Sequence, residues 1–247
     1  MRRFIFFLCV AYSAVAQKAA IPSDCHQIVV VVTKGWSQVD GELRCFQRNK
    51  DGDWKLRGKP VTIVVGQHGM GMAAGVTLDV ENAGMLPKKH EGDGCSPAGV
   101  FALPYAFGYA PTNETSWIKL PYVQCTQTFE CVDDGKSIYY NQVIDPRYSA
   151  KHDWKSSEQM LRNDVLYRWG VFVDHNVRKR SGDGSCIFLH IWSGPHKGTT
   201  GCTAMDEVDL KGVIAWLDPK AKPVLVQFPA HEYLQLQKSW QLPMIRP

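Results

Sequence analysis

The chain is built from short apolar runs separated by turn residues, with few long amphipathic stretches. β-Branched or aromatic runs occupy residues 27–33, 43–48, 60–66, 99–103, 170–174, 186–192 and 223–228, bounded by Gly, Pro, Asn and Asp clusters. Each run predicts a strand, and together they predict a mainly β protein. Helical periodicity is scarce. Residues 156–162 predict a helix of about two turns. Residues 206–217 place Val208, Leu210, Val213, Ile214 and Leu217 near helical spacing, with acidic residues in the first turn. Residues 110–163, rich in Tyr, Asp and Trp but weakly periodic, are expected to form loops and an insertion beside a site. No repeat, low-complexity tract or linker divides the chain, so residues 17–247 are read as one domain.

The first twenty residues set the compartment. Arg2 and Arg3 precede an apolar stretch from Phe4 to about Val15, and Ala14-Val15-Ala16 supplies a small-x-small site. This pattern predicts a signal peptide over 1–16, a mature chain starting near Gln17, and a secreted, periplasmic or cell-envelope location. The apolar run falls short of the roughly 20 residues that span a bilayer. Removing Arg2 and Arg3 leaves 26 basic against 24 acidic residues, from 28 and 24 in the full chain. Such a balance gives no basis for binding a polyanion, and nucleic acid is not expected as a partner.

Beyond Cys9 the chain holds Cys25, Cys45, Cys95, Cys125, Cys131, Cys186 and Cys202. Seven is odd, so an oxidising compartment leaves at least one thiol unpaired. Cys125 with Cys131, Cys25 with Cys45, and Cys95 with Cys186 form one set of bridges among the 15 that six cysteines allow.

Candidate chemistry concentrates in SCIFLHIWSGPHKGTTGCTAMDEVDLKGVIAWL, from Ser185. A buried-type strand ends in His190, a Gly- and Pro-containing loop follows, and Cys202 stands just before the expected helix. Helix N-terminal amides would favour a thiolate there, and a His at a neighbouring strand end can take its proton. Gly201 lets the backbone approach a carbonyl closely, so amides of Gly201, Cys202 or Thr203 can serve a developing oxyanion. The plainer readings are a buried or disulfide-bonded Cys202 and a hydrogen-bonding His190. Zinc is a rival use for His175, His190, His196, Cys186 and Cys202, but no H-E-x-x-H or paired C-x-x-C spacing is present. The GDG sequences at 92–94 and 182–184 read as turns.

The stretch 190–205 resembles the catalytic motif of the L,D-transpeptidase (YkuD-like) family, in which an upstream His is followed by a small hydroxyl residue, a further residue and then Gly-Cys. EGDGCSPAGVFALPYAFGYA from Glu91, CVDDGKSIYYNQVID from Cys131 and DWKSSEQMLRNDVLYRWGVFVDHN from Asp153 also resemble blocks of one branch of that family. The resemblance spans residues 27–228.

The resemblance implies that Cys202 is the nucleophile, His190 its base and Gly201 the oxyanion turn. Thr200 stands where the better-known branch carries a second His, and the Ile191 carbonyl would orient the imidazole. His175, Asn176, Tyr139, Tyr140 and the loop from Ser96 would line the substrate groove. The implied fold is a mainly β sandwich or partial barrel with a few short helices and an inserted loop region. The implied reaction is acyl transfer through a Cys202 thioester on peptidoglycan tetrapeptide stems, with release of D-Ala. The acceptor would be a stem amine or a protein lysine, and the enzyme would act as a monomer without metal or organic cofactor. Hydrolysis by the same pair, as in an L,D-carboxypeptidase, and a catalytically silent wall-binding module are the competing functions.

Overall fold

The computed structural model describes residues 21–76, 78 and 83–245. The expected signal peptide, 1–16, and its cleavage point lie outside the described residues. The run QIVVVVT forms β1 (Gln27–Thr33), and six of its seven residues are buried. A strand apolar on both faces belongs inside a sheet covered on both sides. β1 pairs antiparallel with β2 (Asp40–Arg48) and parallel with β14 (Val224–Pro229), so that Val30 lies between Arg44 and Val226. β2 runs on into β3 (Trp54–Val64), with a register irregularity between Leu43 and Cys45. Beyond β14 come β5 (Ser96–Ala102), antiparallel, and β4 (Met70–Met72), parallel to β5.

The other half of the sheet carries the candidate chemistry. β3 meets β13 (Thr203–Met205), which lies parallel to β12 (Phe188–Ile191). β11 (Trp169–Phe172), β6 (Ala106–Gly108) and β7 (Tyr122–Gln124) complete a mixed sheet of eleven strands among the described residues. A separate three-stranded sheet joins β10 (Ser157–Gln159), β8 (Glu130–Val132) and β9 (Gln142–Ile144). The protein is mainly β, as its sequence predicts.

Side-chain alternation along β12 and β11 divides the interior. Leu189, Ile191 and Val171 enter the larger core with residues of α1 (Glu207–Trp216) and α2 (Ala230–Gln237). Phe188 and Phe172 face the opposite way, into a second cluster that holds Phe107, Tyr167, Cys186 and Cys202. Gly170 makes this second core possible, because a Cβ there would lie 2.2 Å from the Phe107 ring.

The helix expected at 206–217 is α1, with Asp206 as its N-cap accepting from the Val208 N–H at 2.9 Å. Leu210, Val213, Ile214 and Leu217 are buried as the spacing predicts, but Val208 is 77% exposed. The helix expected at 156–162 is instead a strand. Ser157, Glu158 and Gln159 pair with Val132, Cys131 and Glu130, a tertiary pairing that overrides weak local preference. The 110–163 segment is correspondingly more ordered than a loop insertion, since it supplies all three strands of the smaller sheet.

The disulfide pattern also differs from the set considered above. Cys131 bonds to Cys186, while Cys25, Cys45, Cys95, Cys125 and Cys202 are free thiols. Strand register explains one failure: Cys45 lies opposite Val29, four residues along from Cys25, or about 13 Å at strand spacing. Cys186 adopts a left-handed φ of 54°, which turns it toward Cys131 at a Cα separation of 5.9 Å. The bond ties the smaller sheet to the segment that leads into β12, the strand that carries His190.

Candidate active site

His190 and Cys202 reach the same face of the large sheet. His190 is opposite Ala204 in the parallel β12–β13 register, and Cys202 precedes Ala204 by two residues, which keeps its side chain on that face. The Phe188 N–H, from the same strand as His190, donates to Cys202 Sγ at 3.3 Å, and the thiol points back at the Cys186 carbonyl at 3.6 Å. Both candidate residues are nearly enclosed, 4% exposed for Cys202 and 6% for His190.

The His190 tautomer follows from its partner. Nδ1 lies 2.7 Å from the Ile191 carbonyl oxygen, which can only accept, so Nδ1 carries the hydrogen and Nε2 keeps a free lone pair. Burial pushes the imidazole down to about 4, against a smaller upward pull from the Ile191 hydrogen bond. Burial also pushes the Cys202 thiol well up, and the Glu158 carboxylate adds to this. At neutral pH the pair therefore rests as thiol and neutral imidazole.

Helix activation of the thiol, expected from the sequence, is not what the structure provides. β13 and the Asp206 cap separate Cys202 from α1. The turn before Cys202 is fixed by side chains instead. Its carbonyl accepts from Ser96 Oγ at 2.9 Å and from Thr199 Oγ1 at 2.6 Å. The Gly201 N–H donates to Thr199 Oγ1 at 3.0 Å, and Gly201 has φ 153°, where a side chain would be strained. Thr203 turns its hydroxyl the other way, donating to Gln227 at 2.6 Å.

Two clefts open on the pair. One, of about 370 Å³, is lined by Cys202, Gly201, Thr200, Lys89, Glu91, Asp133, Glu158 and Ser185. The other, of about 190 Å³, is lined by His190, Tyr167, Arg162, Lys197 and Thr199. Glu158 and Thr200 border both. Larger surface cavities, of about 460 and 590 Å³, contain neither Cys202 nor His190, so size alone does not mark the chemistry.

The remaining predicted groove residues line neither cleft. Ser96 is fully buried beneath the Cys202 turn. Tyr140 is buried, with its hydroxyl on Glu91, which also accepts from Ser185 at 2.8 Å. Tyr139 stacks edge-on against Trp154 and accepts from the Ala150 N–H at 2.9 Å. Asn176 closes its own loop through the Arg180 and Gly184 carbonyls at 2.9 and 3.0 Å. His175 is buried under Lys89 and Gly184, edge-on to Phe101. His196 is surface-exposed, 2.9 Å from Asp40, so the three histidines considered for zinc do not converge. Among the described residues no group of three or more His, Cys, Asp or Glu is arranged to hold a metal ion.

Two residues at the site were not singled out by sequence. Tyr167 packs edge-on against His190, ring centroids 5.2 Å apart, and its hydroxyl hydrogen-bonds Glu158 at 2.5 Å. Both sit in the block from Asp153 that carries the family resemblance, but the misassigned helix hid the role of Glu158. No family model, curated protein or solved structure matches this chain.

Proposed function

We propose that the protein is an exported cysteine acyltransferase with an L,D-transpeptidase-like catalytic domain, acting on peptidoglycan stem peptides. The observation that carries the reading is a thiol and an Nε2-basic imidazole on one face of adjacent strands, each opening to its own cleft. The stem peptide would enter the larger cleft with the carbonyl of its third residue at Cys202. Attack and proton transfer to His190 Nε2 are coupled, because neither partner is charged beforehand. The imidazolium then protonates the departing D-Ala amine, leaving a thioester at Cys202. The Gly201 amide is committed to Thr199, which leaves the Cys202 amide as the nearest donor for the oxyanion. An amine arriving beside His190 gives up its proton and resolves the thioester to a cross-link, whereas water gives free tripeptide.

The test is incubation of the mature protein with purified disaccharide tetrapeptide, with products resolved by mass. Release of D-Ala with a dimer joined through third-position residues is the expected result. Release of D-Ala with tripeptide alone would make it the hydrolase. A folded, reduced sample that releases no D-Ala and forms no adduct with a carbapenem would overturn the proposal in favour of a wall-binding module.

A further inference from the structure

Lys89 is enclosed where a charge is costly. Its side chain is 3% exposed, yet it borders both the Cys202 cleft and the neighbouring cavity of about 460 Å³. A lysine this buried needs partners, and it has two. Its ammonium donates to the His90 carbonyl and to Asp93 Oδ1, both at 2.6 Å. Asp93 is held in turn, accepting from the His90 N–H at 2.6 Å and from the Cys95 N–H at 2.9 Å. Cys95 leads directly into Ser96, whose hydroxyl holds the Cys202 carbonyl. A short chain of fixed bonds therefore ties the ammonium to the turn at Cys202. An ammonium has three N–H groups to donate. The third finds no acceptor among the described residues.

Charge around the cleft decides what the spare donor can take. Lys89 is the one cation among the described residues that line it, against the carboxylates of Glu91, Asp133 and Glu158. An anionic group entering the cleft meets like charge at those three and is matched only at Lys89. A carboxylate there gains a charge-assisted hydrogen bond, roughly twice as strong as a neutral one. The same positive charge reaches Cys202, where it works against the upward push of burial and Glu158 on the thiol.

We propose that Lys89 makes the Cys202 cleft a carboxylate-reading site: the ligand that takes the cleft bears a free carboxylate that accepts the spare Lys89 N–H, and Lys89 is the residue that sets this specificity. A tetrapeptide stem offers this chemistry from two sources beside the carbonyl that meets Cys202. One is the α-carboxylate of the leaving D-Ala, and the other is the side-chain carboxylate of the third residue. A structural Lys89–Asp93 pair alone would stabilise the fold without telling an acid from its amide.

The inference rests on Cys202 as the reactive group of the proposed function, but its first test needs no peptide. Iodoacetate and iodoacetamide, and their bromo homologues one carbon longer, differ within each pair only in carboxylate against amide. The acid-to-amide ratio of alkylation rates at Cys202, located by peptide mass, is taken at one pH, so that ionisation of the thiol cancels. In the folded wild type the ratio should exceed that of the denatured chain by about tenfold or more, the worth of one hydrogen bond to a charged group. In Lys89→Met it should fall below the denatured value, because the three carboxylates remain. A wild-type ratio at or below the denatured value with both reagent pairs overturns the proposal, whether or not Lys89→Met folds. Calorimetry on Cys202→Ala, which cannot form the thioester, then compares the tetrapeptide with forms amidated at either carboxylate. One amide should bind about ten- to a hundredfold more weakly, a difference absent from Cys202→Ala/Lys89→Met, and that amide identifies the carboxylate read. Equal affinity for all three peptides also overturns the proposal. A tetrapeptide that does not bind, with the reagent ratios as expected, would count against the peptidoglycan reading alone.

Discussion

The Ser96 hydroxyl accepts from the Gly66 N–H and donates to the Cys202 carbonyl, both at 2.9 Å, so one buried side chain links β5 to the turn at Cys202. Ser96→Ala would leave the Gly66 N–H enclosed without a partner and the Cys202 carbonyl with Thr199 alone. Removing a partner from a buried polar group costs about 1–3 kcal/mol, so the variant should unfold at lower urea than the wild type by that amount. Turnover should fall as well, because the turn is held from one side only. Unchanged stability and turnover would show that Thr199 suffices.

The Cys131–Cys186 bond links the sheet that carries Glu158 to the wall of the Cys202 cleft. Replacing both cysteines with serine should cost about 2–5 kcal/mol of stability, as loss of a native disulfide typically does. Alkylation of the denatured, unreduced mature wild type should label the five thiols Cys25, Cys45, Cys95, Cys125 and Cys202. A count of three or one, read by intact mass, would mean that further bridges form.

Stability should fall as the solution is acidified through the range between about 6.5 and 4. His175 and His190 are each pushed down to about 4, chiefly by burial. Across that range the unfolded chain binds protons that the folded chain refuses, so unfolding is favoured as pH drops and the effect levels off below about 4. At roughly 1.4 kcal/mol per pH unit for each group, the two together are worth several kcal/mol. Urea midpoints measured from pH 7.5 to 4 test this, and His175→Phe should flatten the curve by about half.

The fold was legible where a strand is apolar on both faces, and much less so where pairing partners decide. QIVVVVT marks β1, because five β-branched apolar residues in a row, Ile28 to Val32, favour a buried strand. Ser157, Glu158 and Gln159 form a strand only because β8 presents an edge to them, and nothing local to their sequence records that edge. The same holds at the site. Cys202 and His190 stood out through residue type and spacing. The hydroxyls that hold the Cys202 carbonyl lie at Ser96 and Thr199, and Ser96, 106 positions away, is brought there by the sheet order alone. Tyr139, Tyr140, His175 and Asn176 were expected in the groove through the family resemblance, yet the Tyr139, Tyr140 and Asn176 side chains are held in loop and network hydrogen bonds, and His175 is buried edge-on to Phe101.

The resting charge state of the pair gives the sharpest kinetic test. A preformed thiolate–imidazolium pair would alkylate at a rate that rises at low pH and then stays level through neutrality, because the thiolate would already be present. Burial opposes both charges here, raising the Cys202 thiol and lowering His190. The alkylation rate at Cys202 should therefore be slow near pH 7 and still rising beyond about pH 9, the ordinary range of a free thiol. His190→Ala should leave that alkaline rise nearly in place, since hydroxide can remove the proton there. The same variant should lose about two orders of magnitude or more in turnover of tetrapeptide, where the proton must be taken during attack and returned to the leaving amine. A level rate from about pH 6 to 8 in the wild type, abolished in His190→Ala, would mean that the ion pair exists before substrate binds and that the enclosed site solvates charge better than its burial implies.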